Sequence, residues 1–171
     1  PHRTVDIAYG TPKKRAAIVE QGADFVIINY DGVEIVSKEI AAGGFDIIIA
    51  DEATHYKNAQ TKRWKTLNKL VHPHTWLWMM TGTPAAQSPL DAYGLAKLID
   101  RTSVPRFFGS FRDMVMTKIT QFRWEMKACA SDLVHAILQP AIRFTKEECL
   151  DLPPMVYVKR KVELTRQQLK Y

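Results

Sequence analysis

Three nearly uninterrupted apolar runs constrain this chain more than any other feature: Phe25-Val26-Ile27-Ile28, Phe45 to Ala50, and Thr75 to Met80. Each has the length of a strand and is apolar at consecutive positions, whereas a strand with one wet face would alternate. Such runs are expected to be buried on both faces, as in a parallel sheet covered by helices. The segments between them carry helical spacing. Thr11-Pro12 offers an N-cap and a proline at the first helical position before Lys13 to Glu20. Val33, Ile35, Val36 and Ile40 belong to a second helix ending at Gly43-Gly44, and Trp64, Leu67, Leu70 and Val71 to a third within 58–71. With a short strand at 5–9, residues 1–84 read as an open α/β sheet built from right-handed crossovers. Ligands of such sheets sit at the carboxyl ends of the strands.

The second half changes character. Helices are expected at 90–99, 111–119 and 132–138, the last stopped by Pro140, and Pro153-Pro154 marks a boundary. A basic strand is expected around Val156 to Val162, then a last helix from Thr165. The chain begins at Pro1 without a methionine and stops inside that helix, so it reads as a piece of a longer protein. Over 171 residues, 46% hydrophobic and 25% charged content excludes collagen, mucin and wholesale disorder. No apolar run approaches the roughly 18 residues a membrane span needs. The two cysteines, Cys129 and Cys149, make no disulfide framework and are expected as free thiols in a reducing compartment. A net charge of +6 favours polyanionic partners weakly.

Chemistry concentrates at the ends of the second and third runs. Phe45 to Ala50 leads straight into Asp51-Glu52. Buried carboxylates are costly unless paired or coordinated, but at a strand's carboxyl end they face the ligand crevice. An aspartate there can hold Mg²⁺, often through water, and the adjacent glutamate can act as general base on a water molecule. This is the Walker-B arrangement of phosphoryl-transfer enzymes, although either carboxylate would serve equally as a cap for the next helix. The third run ends in Thr81-Gly82-Thr83-Pro84. Its hydroxyls could bridge the carboxylates to a phosphate or to a neighbouring lobe, or the segment could be an ordinary strand-to-loop turn.

Taken together and in order, these motifs resemble those of the superfamily-two helicases, with motif II at Asp51-Glu52-Ala53-Thr54 and motif III at Thr81-Gly82-Thr83-Pro84. Within that superfamily the chain is most similar to the Swi/Snf-type ATPases. Their Asp-Glu-Ala-His-Arg-x-Lys-Asn pattern is matched by Asp51-Glu52-Ala53 and Lys57-Asn58. Their strand ending in a polar residue and tyrosine is matched by Ile27-Ile28-Asn29-Tyr30-Asp31, and the helix after motif III by Pro89 to Tyr93. Leu138-Gln139-Pro140 with Arg143, Leu152-Pro153, and Gln167 with Tyr171 follow in the family's order.

The resemblance implies a partial RecA-like parallel sheet of the P-loop NTPase type, flanked by helices and followed by a helical C-terminal extension. Residues 1–150 would be the later part of the first lobe, and 151–171 the start of the connection to a second lobe. It implies ATP and Mg²⁺ as cofactors, with Asp51 holding the metal through water and Glu52 activating the hydrolytic water. Thr81, Gly82, Thr83 and Thr54 would couple that chemistry to lobe closure. Asn29, Tyr30, Lys57 and Asn58 would contact nucleic acid, most naturally duplex DNA, in an intracellular setting, cytoplasmic or nuclear.

The sequence also departs from the family. Thr54 stands where histidine or glutamine is usual, His55 where arginine is usual, Asn29 where threonine or serine is usual, and Arg143-Phe144 replaces paired arginines. No Gly-x-x-x-x-Gly-Lys-Ser/Thr loop occurs in the chain. This chain alone is therefore expected neither to hydrolyse ATP nor to bind it tightly. The alternatives are a non-catalytic binding module that keeps the fold, or a lobe of an RNA helicase or restriction-type motor. His72-Pro73-His74 beside an acidic pair lacks the spacing of a zinc site. The basic groups Lys13-Lys14-Arg15 and Lys62-Arg63 with Lys65 read as solvated helix faces, and the four tryptophans as core or half-buried.

Overall fold

The computed structural model describes residues 2–85, 87–149 and 157–160. The chain divides into two compact units, residues 1–140 and 141–171.

In the first unit, β1 (Val5–Ile7) pairs in parallel with β2 (Phe25–Ile27), joined by α1 (Pro12–Glu20). Thr11 caps α1 through its hydroxyl, which accepts from the Lys14 N–H, and Pro12 opens the helix, as the Thr-Pro pair predicts. The next helical segment is broken in two, α2 (Tyr30–Ile35) and α3 (Ser37–Ala42), because Val36 leaves helical geometry at φ −114°, ψ 30°. β3 (Ile47–Ala50) and β4 (Trp76–Met79) form a second parallel pair across α4 (Lys62–Leu70). The register sets Ile47 opposite Trp76 and Ala50 opposite Met79.

Two features differ from the sequence-based expectation. The strands pair two by two rather than in one continuous sheet. Each strand is also buried on one face only. In the two parallel pairs, Val19 and Val36 pack on the side of Val26, and Leu67 and Leu95 on the side of Ile48 and Leu77. The opposite side leaves Ile7 64%, Phe25 52%, Ile49 50% and Trp76 70% exposed. The consecutive apolar residues are therefore present, but among the described residues only one face of them has a covering layer. Trp76 and Trp78 do share a strand face, as expected, yet no described helix packs over it.

After β4, a 3-10 turn at Pro89–Asp91 leads into α5 (Ala92–Ile99), which is buried along most of its length. α6 (Phe108–Val115) ends earlier than its apolar spacing suggests. The chain turns at Met116 into β5 (Met116–Lys118), antiparallel to β6 (Trp124–Met126), a hairpin not anticipated from sequence. The signal was the Thr120-Gln121-Phe122 break, where the Thr120 hydroxyl accepts from the Phe122 and Arg123 amides. α7 (Ala130–Ile137) closes a core around Phe111, Val115 and Tyr93.

In the second unit, α8 (Lys146–Cys149) is capped reciprocally. The Thr145 amide donates to Glu148, and the Glu148 amide donates to the Thr145 hydroxyl. Tyr157 to Arg160 carries no regular structure, and the final helix expected from Thr165 lies outside the described residues. Both cysteines are free and exposed.

One pH response follows directly from the fold. Asp24 clamps the start of β1, accepting from the Thr4 amide at 2.9 Å, the Thr4 hydroxyl at 3.0 Å and Arg3 at 2.8 Å. The Thr4 amide first, then Arg3 and the Thr4 hydroxyl, hold its carboxyl down at about 2. A depressed acid stabilises the folded state above its ordinary value of 3.8 and loses that contribution as pH falls through about 2. Hydrogen exchange of the Phe25 and Ala8 amides, which bond Thr4 and Ile27 across this strand pair, is expected to accelerate across that window. Asp24→Ala is expected to remove the step, and an identical profile in the variant would refute the clamp.

Candidate functional site

The parallel register carries the ends of β3 and β4 to one edge. The ladder continues past both strands, with the Met80 amide donating to the Ala50 carbonyl at 2.9 Å and the Ala53 amide to the Met80 carbonyl at 2.8 Å. These bonds lock the Asp51-Glu52 turn to the start of Thr81-Gly82-Thr83. Glu52 is the one non-glycine residue with positive φ among the described residues, at φ 52°, ψ 60°. A left-handed residue costs roughly 1–2 kcal/mol, so the surrounding bonds must over-determine it. The turn then winds into a 3-10 turn at Ala53–Tyr56 whose Ala53 and Tyr56 are buried.

Glu52 is the hub of the side-chain contacts. Its Oε1 accepts from the Thr54 hydroxyl at 2.6 Å and from the Thr81 hydroxyl at 3.2 Å. The Thr81 hydroxyl in turn accepts from the Thr83 amide at 3.3 Å. A cleft of about 330 Å³ opens here, lined by Glu52, Thr54, Lys57, Thr83, Gln87 and Asp91 among others. The structure thus brings Glu52, Thr54, Thr81 and Thr83 together. Asp51 is exposed at the same strand tip but does not line this cleft, and Gly82 stands in open space.

Of the four residues assigned to nucleic acid by resemblance, Lys57 and Asn58 follow this turn and Tyr30 reaches it from α2, while Asn29 lies next to Tyr30 in sequence; each has partners inside the chain. Lys57 pairs with Asp91 at 3.2 Å and reaches Gln87 at 3.4 Å. Asn58 accepts from the Gln60 amide at 2.9 Å and starts the turn into α4. Asn29 caps α2 through Oδ1, which accepts from the Gly32 amide and from Arg15 at 2.7 Å. Tyr30 donates its hydroxyl proton to the backbone carbonyls of Asp51 and Glu52.

Two organising residues escaped the sequence reading. Arg15 is buried, 8% exposed, rather than part of a solvated face. It donates to the Gly10, Ala8 and Asn29 oxygens, and Gly32 leaves room for its guanidinium, which a Cβ would meet head on. Arg63 bonds Asp31 at 2.8 Å, reaches His55 Nδ1 at 3.2 Å and lies 5.3 Å over the Tyr30 ring. The Tyr30 ring also contacts His55 and Tyr56. Burial, chiefly, pushes the Tyr56 hydroxyl up to about 12 and raises that of Tyr30 as well. His72 and His74 are exposed. Among the described residues no three His, Cys, Asp or Glu side chains converge on a metal position, and no helix is long and apolar enough to cross a membrane.

Comparison with known proteins gives the family of the chain. The chain is 34% identical over 88 residues to the SWI/SNF-related matrix-associated actin-dependent regulator of chromatin subfamily A-like protein 1 of Xenopus laevis, covering 51% of this chain and 9% of that protein. It is 32% identical over 81 residues to the protein of the same name from Xenopus tropicalis, covering 47% of this chain and 8% of that one. These matches therefore span less than a tenth of either relative's length. The model of the SNF2-related domain matches residues 2–171. An acid-tipped strand tied to a threonine-tipped neighbour, within a family match that runs from end to end, means that this chain belongs to the SNF2-related domain family, the Swi/Snf-type branch of the superfamily-two ATPases.

Proposed function

We propose that the chain is part of a DNA-stimulated ATPase that couples ATP hydrolysis to movement along duplex DNA, and that residues 1–150 form the later part of its RecA-like first lobe. The observation that carries this reading is the Thr81 hydroxyl on the Glu52 carboxylate, at the meeting tips of two parallel strands. That contact gives the turn a direct link to motif III, the segment expected to report lobe closure.

Mg²⁺ takes one or two protein carboxylates and completes its shell with water and phosphate. An exposed Asp51 at the strand tip, with no converging cluster of acids among the described residues, suits that demand. When bound, Mg²⁺ would neutralise phosphate charge. Glu52 would orient the attacking water and accept its proton, with Thr54 and Thr81 fixing one carboxylate oxygen so that the other faces the water. Lys57 and Asn58, with Asn29 and Tyr30 beside them, would form the nucleic-acid side of the turn. The chromatin-regulator names of the relatives and the basic net charge of +6 support a DNA partner in an intracellular, cytoplasmic or nuclear, setting.

The test is steady-state ATP hydrolysis by the intact protein that carries this domain, with and without duplex DNA across a salt series. Stimulation by duplex DNA that falls steeply with salt is expected. The 171-residue chain alone, whose sequence has no phosphate-binding loop, is expected to give no turnover. DNA binding by the intact protein without hydrolysis would replace this reading with a non-catalytic module, and preferential stimulation by RNA would replace duplex DNA as the track.

A further inference from the structure

Tyr30 does more in this molecule than a surface tyrosine awaiting nucleic acid. It follows β2 directly, at the first position of α2, on a different strand pair from Asp51 and Glu52. Its backbone position is fixed from behind. Asn29 Oδ1 accepts from both the Gly32 amide and the buried Arg15, so the first turn of α2 is tied to α1 and to the end of β1. Its ring is fixed from the sides by His55 at 4.5 Å, Tyr56 at 5.3 Å and the Arg63 guanidinium, which Asp31 anchors.

The hydroxyl at the end of this braced ring meets the carbonyl of Asp51 and, at 3.2 Å, that of Glu52. One proton is shared between the two acceptors. These carbonyls flank the residue held in left-handed geometry, the conformation that aims the Glu52 side chain at Thr54 and Thr81. We propose that Tyr30 is a positioning residue for hydrolysis. Its hydroxyl clasps the Asp51-Glu52 backbone and holds Glu52 in the orientation in which it works. The clasp also links the Asn29-Tyr30 segment to Glu52, giving an event at that segment a direct path to the hydrolytic carboxylate.

This inference rests on the reading of Glu52 as the base, and its test separates the two. In the intact protein, Tyr30→Phe keeps the ring and removes the hydroxyl alone. Loss of one such bond is expected to lower kcat about three- to tenfold, and the basal rate without DNA by the same factor, with KM for ATP and the melting temperature close to wild type. A merely structural tyrosine would instead lower the melting temperature in step with activity, and a pure nucleic-acid contact would weaken DNA binding while sparing the basal rate without DNA. Either pattern, or a wild-type kcat, overturns the clasp. Tyr30→Leu, which removes the ring as well, is expected to lose thermal stability in addition. If Tyr30→Phe has no effect while Glu52→Gln is inactive, the clasp falls and the role of Glu52 stands. If Glu52→Gln retains turnover, the reading of the site itself falls.

Discussion

Glu52→Gln in the intact protein is expected to lower ATP turnover at least about a hundredfold while leaving nucleotide affinity nearly unchanged, because a positioned general base contributes roughly 10²- to 10⁴-fold. The structure makes this substitution clean. Glu52 Oε1 acts only as an acceptor toward the Thr54 and Thr81 hydroxyls, and a glutamine carbonyl oxygen can accept the same two bonds. The side chain therefore keeps its place and loses its basicity. The left-handed backbone is held by the Tyr30 hydroxyl and by the Ala53 amide bond to Met80, neither of which involves the carboxylate. Steady-state hydrolysis, paired with titration of a fluorescent nucleotide analogue, reads both quantities. Turnover within a few-fold of wild type would remove Glu52 from the chemistry.

Much of the site was readable from sequence because strand length and register translate directly into position. Ile47 to Ala50 and Trp76 to Met79 are both four residues long and pair in register, so whatever follows each strand must meet at the same edge. The cap at Thr11-Pro12 and the amphipathic face of α4, with Trp64, Leu67 and Leu70 buried, were equally legible because their signals are local. The open face of the strands was not legible. A consecutive apolar run states that two covering layers are wanted, but not whether both are supplied by the same stretch of chain, and here Trp76 and Trp78 point away from every described helix.

The roles of Arg15 and Tyr30 were hidden for a related reason. Arg15 sits in a run of three cations, and composition alone reads such a run as solvated. Its burial follows from a backbone arrangement in which three oxygens, on Ala8, Gly10 and Asn29, converge on one guanidinium. Likewise the hydroxyl of Tyr30 finds carbonyls of residues 21 and 22 positions away, a pairing set by how the two strand pairs are juxtaposed and by no local pattern. His55 and Thr54, which depart from the family pattern, are both engaged. Thr54 donates to Glu52, and His55 lies between Arg63 and Tyr30, so the turn keeps a dense set of contacts despite the changed residues.

The second large effect is expected at a residue with no side chain at all. Gly94 lies inside α5, where glycine costs about 1 kcal/mol relative to alanine, so propensity alone would make Gly94→Ala stabilising. Packing reverses the sign. α5 crosses the turn after Glu52 so closely that the Gly94 amide donates to the Lys57 carbonyl at 3.2 Å, while the Trp64 indole donates to the Gly94 carbonyl at 2.8 Å. A Cβ at this position would collide with the carbonyl oxygens of both Tyr56 and Lys57. These are backbone atoms, so relief requires moving either α5 or the 3-10 turn, at a cost of about 1–3 kcal/mol or more in a well-packed core. Gly94→Ala is therefore expected to destabilise the fold by about 2 kcal/mol, measured as a shift in urea midpoint at unchanged slope. The displaced turn is the one that carries Lys57 and follows Glu52. The variant is thus expected to lose DNA-stimulated hydrolysis even at temperatures where it remains folded, a result that a purely local packing defect in α5 would not produce.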